Sequence, residues 1–188
     1  MFKNEVQLEN MAVEDRIRRA KKMLRYINID EIKDDLKELE KAIEDTWSYM
    51  REIGVTEICK RCAEETGSCC KEWVEDEVDD VMIAMNMLMG VKMPEKRFKE
   101  GFCYFLSESG CILKVRPTIC VNFLCDKVKK KIGFENEKKL QEIAGRELEL
   151  GFIVREKILK MLPSYSLERS SSKSYRLPSH IQEKIPST

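Results

Sequence analysis

The amino-acid sequence predicts a mainly α-helical domain with a small β-hairpin and a metal centre ligated by cysteines. Three observations predict it. Apolar residues recur every three or four positions over long stretches, the period of a helix with one buried face. Only 5 prolines and 8 glycines punctuate 188 residues, too few for a many-stranded sheet. Eight cysteines stand against one histidine. With 43% hydrophobic and 36% charged residues, the chain can fill a core beneath a densely charged surface.

The elements follow in order. Asn10 is placed to cap a helix whose apolar positions include Val13, Ile17, Leu24 and Ile27. A second helix is expected from Asp30, its cap, with Ile32, Leu36, Leu39, Ile43, Trp47, Met50 and Ile53 on one face and Gly54 as its stop. Residues 1–55 therefore read as an amphipathic helical pair that packs on the rest of the chain, or that meets a protein partner or a second copy. Residues 56–135 form a cysteine-cluster domain. Thr56 caps a turn carrying Cys59 and Cys62, and a helix runs from Glu72 to Met89, closed by Gly90. Phe102 to Leu106 and Cys111 to Val115 alternate around Ser107-Glu108-Ser109-Gly110, a hairpin pattern. Arg116-Pro117 ends it. Residues 136–162 make a last helix capped by Asn136, and 163–188 read as a serine-rich flexible tail.

Lys+Arg and Asp+Glu both number 34, a balance that excludes a general nucleic-acid binder. The most apolar run, Val81 to Val91, is broken by Asn86 and too short to span a bilayer. Met1 to Arg16 lacks the apolar stretch of a secretory signal, so a cytoplasmic location with reduced thiols is expected. A disulfide scaffold would show a higher cysteine density and an export signal.

The cysteines fall into two groups, Cys59-x2-Cys62-x6-Cys69-Cys70 and Cys103-x7-Cys111-x8-Cys120-x4-Cys125, with none outside. A two-residue gap lets two sulfurs turn toward one point, as metal ligation requires. Zinc on four thiolates is one reading, and an iron–sulfur cluster, such as a four-iron cluster, is the other. The adjacent Cys69-Cys70 favours iron–sulfur: neighbouring residues strain a single tetrahedral ion, and fit better on different irons, on separate centres, or with one spare. Lys60, Arg61, Lys71, Lys114, Arg116 and Lys127 stand beside the thiols, where cations favour the thiolate. Arg116, beside the rigid Pro117, is the candidate for a supporting hydrogen bond to the centre.

Other features point elsewhere. Met82, Met85 and Met89 share a helix face with Leu88; thioethers bind copper, but this pattern is that of a core. Glu75-Asp76-Glu77 with Asp79-Asp80 lacks calcium-loop spacing and reads as a solvated helix N-terminus. His180 lies in the tail. The sequence has no phosphate loop, no nucleophile elbow and no Cys-x3-Cys-x2-Cys triplet.

Cys59-x2-Cys62, then Cys69-Cys70, then GFCYFLSESGCILKVRPTICVNFLC resembles the YkgJ-type cysteine-cluster family, described as zinc- or iron-chelating. The likeness rests on Cys103, Phe105-Leu106, Gly110-Cys111-Ile112, Arg116-Pro117, Cys120 and Cys125, and spans Cys59 to Cys125. The chain departs from it at Leu113-Lys114, where an aromatic residue is common, and at Val121, where an arginine is. The resemblance implies metal binding through the cysteines, serving electron transfer, metal handling or partner binding. A flagellin lysine-N-methylase group shares a similar cluster, so the resemblance also admits a cluster-containing group-transfer enzyme such as a protein lysine methyltransferase. A zinc-stapled interaction module, docking through Ile32 to Ile53, is the third reading.

Overall fold

The structure is a computed structural model that describes residues 12–67 and 69–163. The chain runs α1 (Val13–Met23), α2 (Lys33–Glu52), α3 (Val55–Thr66), α4 (Asp80–Leu88), β1 (Leu106–Ser107), β2 (Gly110–Cys111), α5 (Thr118–Asn122), α6 (Asp126–Ile132) and α7 (Phe134–Met161). Short 3-10 helices cover Ile29–Glu31 and Glu72–Glu77. The architecture is mainly helical with a two-stranded antiparallel sheet, as the sequence predicts. Among the described residues, no helix is long and apolar enough to cross a membrane. Asn10, His180 and the serine-rich tail lie outside the described residues.

Several boundaries differ from expectation, each for a local reason. Asp30 does not cap α2: it lies in the 3-10 turn, whose cap is Asn28, accepting from the Asp30 amide at 3.3 Å. Thr56 lies inside α3, which begins directly after the left-handed Gly54 (φ 78°). The helix expected over Glu72 to Met89 is split, because Val78 and Asp79 are extended and Asp79 accepts from the Met82 amide at 2.8 Å as a new cap. Asn136 is not a cap. α7 starts at Phe134, and the Asn136 side chain joins the Ile132 carbonyl (2.9 Å) to the Tyr49 hydroxyl (2.9 Å).

Among the described residues, the two N-terminal helices each pack chiefly on a later helix. α1 lies along α4, and α2 lies along α7 over most of its length. Ile32, Leu36, Leu39 and Ile43 meet Val81 and Met85 of α4 and Leu150, Val154 and Ile158 of α7. Val13, Ile17 and Ala20 meet Ile83 and Ala84 on the other side of α4, with Tyr104, Phe105 and Leu113 from around the hairpin. α4 is therefore apolar on two faces, the pattern of a helix enclosed by its neighbours. A third cluster joins Tyr49, Val55, Val128, Ile132 and Leu140. Each fully buried aliphatic side chain, such as Ile83 or Val154, contributes about 1.5–3 kcal/mol. The apolar face of α2, expected as a docking helix in one reading, is thus covered by the chain's own α7 and α4.

Candidate metal centre

Three polar anchors fix the segments that carry the thiols. The first is Glu75, 7% exposed, whose carboxylate accepts from the Tyr104 amide (2.8 Å) and takes a two-pronged hydrogen bond from Arg97 (2.6 and 2.8 Å). Arg97 also donates to the Phe102 carbonyl. The acidic run is therefore not a solvated helix end at this position: Glu75 is buried and occupied. The second anchor is Arg16 of α1, which donates to the Glu75 and Val78 carbonyls at 2.7 and 2.9 Å. The Glu75 carbonyl also accepts the Val78 amide at 3.0 Å, the bond that closes the 3-10 turn, so Arg16 ties α1 to the end of that turn.

The third anchor is Asn86, fully buried in α4. Its oxygen accepts from the Lys114 and Val115 amides (2.7 and 3.1 Å), and its nitrogen donates to the Val115 and Met82 carbonyls (2.8 and 2.9 Å). All four bonding positions of the carboxamide are filled. This explains why the hairpin is shorter than the sequence suggests. Strands were expected over Phe102 to Leu106 and Cys111 to Val115, but the amides of Tyr104, Lys114 and Val115 bond to side chains instead. Only Leu106↔Cys111 and Ser107↔Gly110 remain paired. Gly110 has φ 113°, a conformation that disfavours any residue with a Cβ.

On this frame four cysteines from separate stretches share one region. The Cys103 amide donates to the Cys70 carbonyl at 2.9 Å, and Lys71 bridges Phe102, so the two stretches run side by side. Cys111 pairs across the hairpin with Leu106, whose amide donates to the Cys103 carbonyl at 3.0 Å. Cys120 lies in α5, directly after Arg116-Pro117. Every pair among Cys70, Cys103, Cys111 and Cys120 is electrostatically coupled. Burial, first, and the neighbouring thiols push Cys103, Cys111 and Cys120 each from 9.0 to about 11, while Arg116 opposes the shift at Cys111 and Cys120. Cys111 keeps an exposed surface, yet protein surrounds its sulfur closely enough that desolvation leads.

The remaining cysteines lie elsewhere. The Lys71 amide donates to the Cys69 carbonyl at 2.8 Å, a three-residue turn centred on Cys70. That turn leaves Cys69 exposed while Cys70 packs against the cluster of Cys103 and Phe105. Cys59, exposed, and Cys62 lie on α3. Cys125 precedes α6 and packs with Val55 and Leu124. The structure therefore divides the thiols differently from the sequence: Cys70 sides with the second group and Cys125 with α3. Among the described residues, no three Cys, His, Asp or Glu side chains are placed closely enough to grip one ion. The donor set fits zinc or an iron–sulfur cluster in kind and number, and binding would draw the four sulfurs together.

Arg116 is buried behind the thiols. It meets Glu147 of α7 at 3.5 Å and stacks on Trp47, 4.3 Å from the ring centre. Glu147 was not singled out in the sequence. Its position was nevertheless informative, because it interrupts the apolar stripe Leu140, Ala144, Leu150, Val154 and Ile158, and an acid there requires a buried partner. Asn86 carried the same signal, as the break in an apolar run. Met85, 2% exposed, belongs to the core.

Comparison with protein-family models, with curated proteins and with solved structures finds no match. The class that fold and site define is a helical domain with a cysteine-bearing hairpin, and the YkgJ-type likeness rests on the motif residues alone.

Proposed function

We propose that this is a metal-binding protein of the YkgJ type, in which Cys70, Cys103, Cys111 and Cys120 are one ligand set for an iron–sulfur cluster or zinc. The observation that carries the reading is their convergence. Four separated cysteines share one region on a frame built by Glu75, Arg16 and Asn86, with each thiol within electrostatic reach of the other three. Cys103, Cys111 and Cys120, whose desolvated thiols disfavour their own charge, gain from a cation, which replaces the protons and offsets the desolvation. Arg116 tempers the negative charge from behind. The turn that separates Cys69 from Cys70 favours one of this pair per centre. When bound, an iron–sulfur cluster supplies one-electron chemistry, and zinc supplies a structural staple.

Anaerobic purification followed by iron, zinc and acid-labile sulfide analysis tests this. Brown protein with iron and sulfide is expected. Colourless protein with stoichiometric zinc would replace the cluster by zinc, and protein with neither would overturn the reading. Serine at Cys103 should abolish the bound metal, whereas serine at Cys69 should leave this ligand set loaded.

A further inference from the structure

Residues 122–139 hold six lysines and three acids, in a chain whose net charge is zero. Val128 and Ile132 turn the inner side of α6 into the core, against Val55 and Leu140. At about 100° per residue, Lys127, Lys130 and Lys131 then share one exposed arc away from that side. Among the described residues these three make no ion pair, while their neighbour Lys129 makes one, with Glu137 of α7 at 2.8 Å. Phe123 precedes α6 and is 60% exposed. Phe134 follows it and is 74% exposed, the most of any large apolar side chain among the described residues. Phe134 lies one turn before Glu137 on the same stripe of α7, so the ion pair keeps it beside the lysines.

We propose that this surface docks on an anionic lipid bilayer, the lysines lying among the head groups and the two rings entering the apolar layer beneath. Charge complementarity calls for a negative partner. The rings favour lipid over an acidic protein. They stand at opposite ends of a helix about 10 Å long. A protein partner would need two pockets at that spacing, whereas a fluid layer takes the rings wherever they fall. The lysine stems lie along the interface while their ammonium groups reach the phosphates. Contact is with the surface alone, since no described helix is long and apolar enough to cross. The docking does not depend on metal at the cysteines.

Sedimentation of the full-length chain with phosphatidylcholine vesicles, with or without one part in three of phosphatidylserine, tests this. Binding to the anionic vesicles is expected, about tenfold or more above the neutral ones and weakening as salt rises. The triple variant Lys127→Gln, Lys130→Gln, Lys131→Gln should bind about a hundredfold more weakly, at about fivefold per lysine. Phe123→Ser with Phe134→Ser leaves the charge unchanged and should lower binding several-fold. All five positions are exposed, so these variants keep the fold. No binding to the anionic vesicles, or equal binding to the neutral ones, overturns the proposal. So does unchanged binding in the triple variant, which would place the contact elsewhere, or in the double one, which would leave charge alone. Release from the vesicles by polyglutamate at matched charge would also overturn it, and would point to an acidic protein as the partner.

Discussion

Arg116 and Glu147 face each other across 3.5 Å with their side chains only 5% and 4% exposed, and the Trp47 ring covers the guanidinium. A pair this deep is held by its own completeness: removing one partner strands the other charge in a medium that solvates it poorly. Glu147→Ala or Arg116→Ala should each cost about 3–5 kcal/mol in denaturant unfolding. The double replacement Arg116→Met with Glu147→Leu should recover most of that loss, because no charge is then left buried. A double variant as unstable as either single one would contradict this account.

The pH dependence of the same pair has a defined sign. Burial holds the Glu147 carboxyl above the usual carboxylate range, against the opposing pull of Arg116. The folded state thus keeps a proton that the unfolded chain releases near the ordinary value of about 4.3. This contribution to stability is complete below that pH and is lost as pH rises through the elevated folded-state value. Glu147→Gln cannot titrate. The stability of the unaltered protein should therefore fall relative to that variant across this window and run parallel to it above.

Asn86 gives a second structural test, local to the hairpin. Its carboxamide bonds the backbone of Lys114 and Val115 three times, and replacing it with leucine leaves two amides and a carbonyl buried without partners. A loss of about 3 kcal/mol or more is expected. Amide hydrogen exchange should locate it, with protection lost first at Lys114 and Val115. Uniform loss over all helices, with those amides unchanged, would refute the role of Asn86 as the hairpin's anchor.

These cases also show what could be read in the chain and what could not. Helices revealed themselves where an apolar stripe ran long, as in Leu36-Leu39-Ile43, and Gly54 marked its stop because few other residues take its φ cheaply. The hairpin turn was visible at Ser107 to Gly110. Capping was misplaced at Asp30, Thr56 and Asn136, because many polar residues can cap and only the path of the entering chain chooses one. The partners of each stripe were also hidden: nothing in Val13-Ile17-Ala20 says that it meets α4 rather than α2. For the thiols, spacing put Cys69 and Cys70 in one group, whereas a single turn of backbone separates them in space.

Asp79 offers a sharper distinction between two roles at one residue. It caps α4 through the Met82 amide and pairs with Arg155 at 2.6 Å on the partly exposed side. Asparagine retains the cap and loses the charge; alanine loses both. Asp79→Asn should therefore cost well under 1 kcal/mol, as expected for a partly exposed ion pair. Asp79→Ala should cost about 1 kcal/mol more, the usual worth of an N-cap. Equal losses in the two variants would assign the whole effect to Arg155.

The thiols themselves titrate in a range that separates metal-free from metal-bound protein. In metal-stripped protein, Cys103, Cys111 and Cys120 are raised from 9.0 to about 11, chiefly by burial. Their folded-state protons are therefore held more tightly than those of the unfolded chain. The resulting stability is complete below about pH 9 and is lost as pH rises through about 11. Because only the thiolate reacts, alkylation of the accessible Cys111 in stripped protein should be slow at neutral pH and rise about tenfold per pH unit toward 11. Bound metal would deprotonate the sulfurs and occupy them, so the loaded protein should resist alkylation at every pH in that range. Rates that match in loaded and stripped protein would mean that Cys111 is not a ligand.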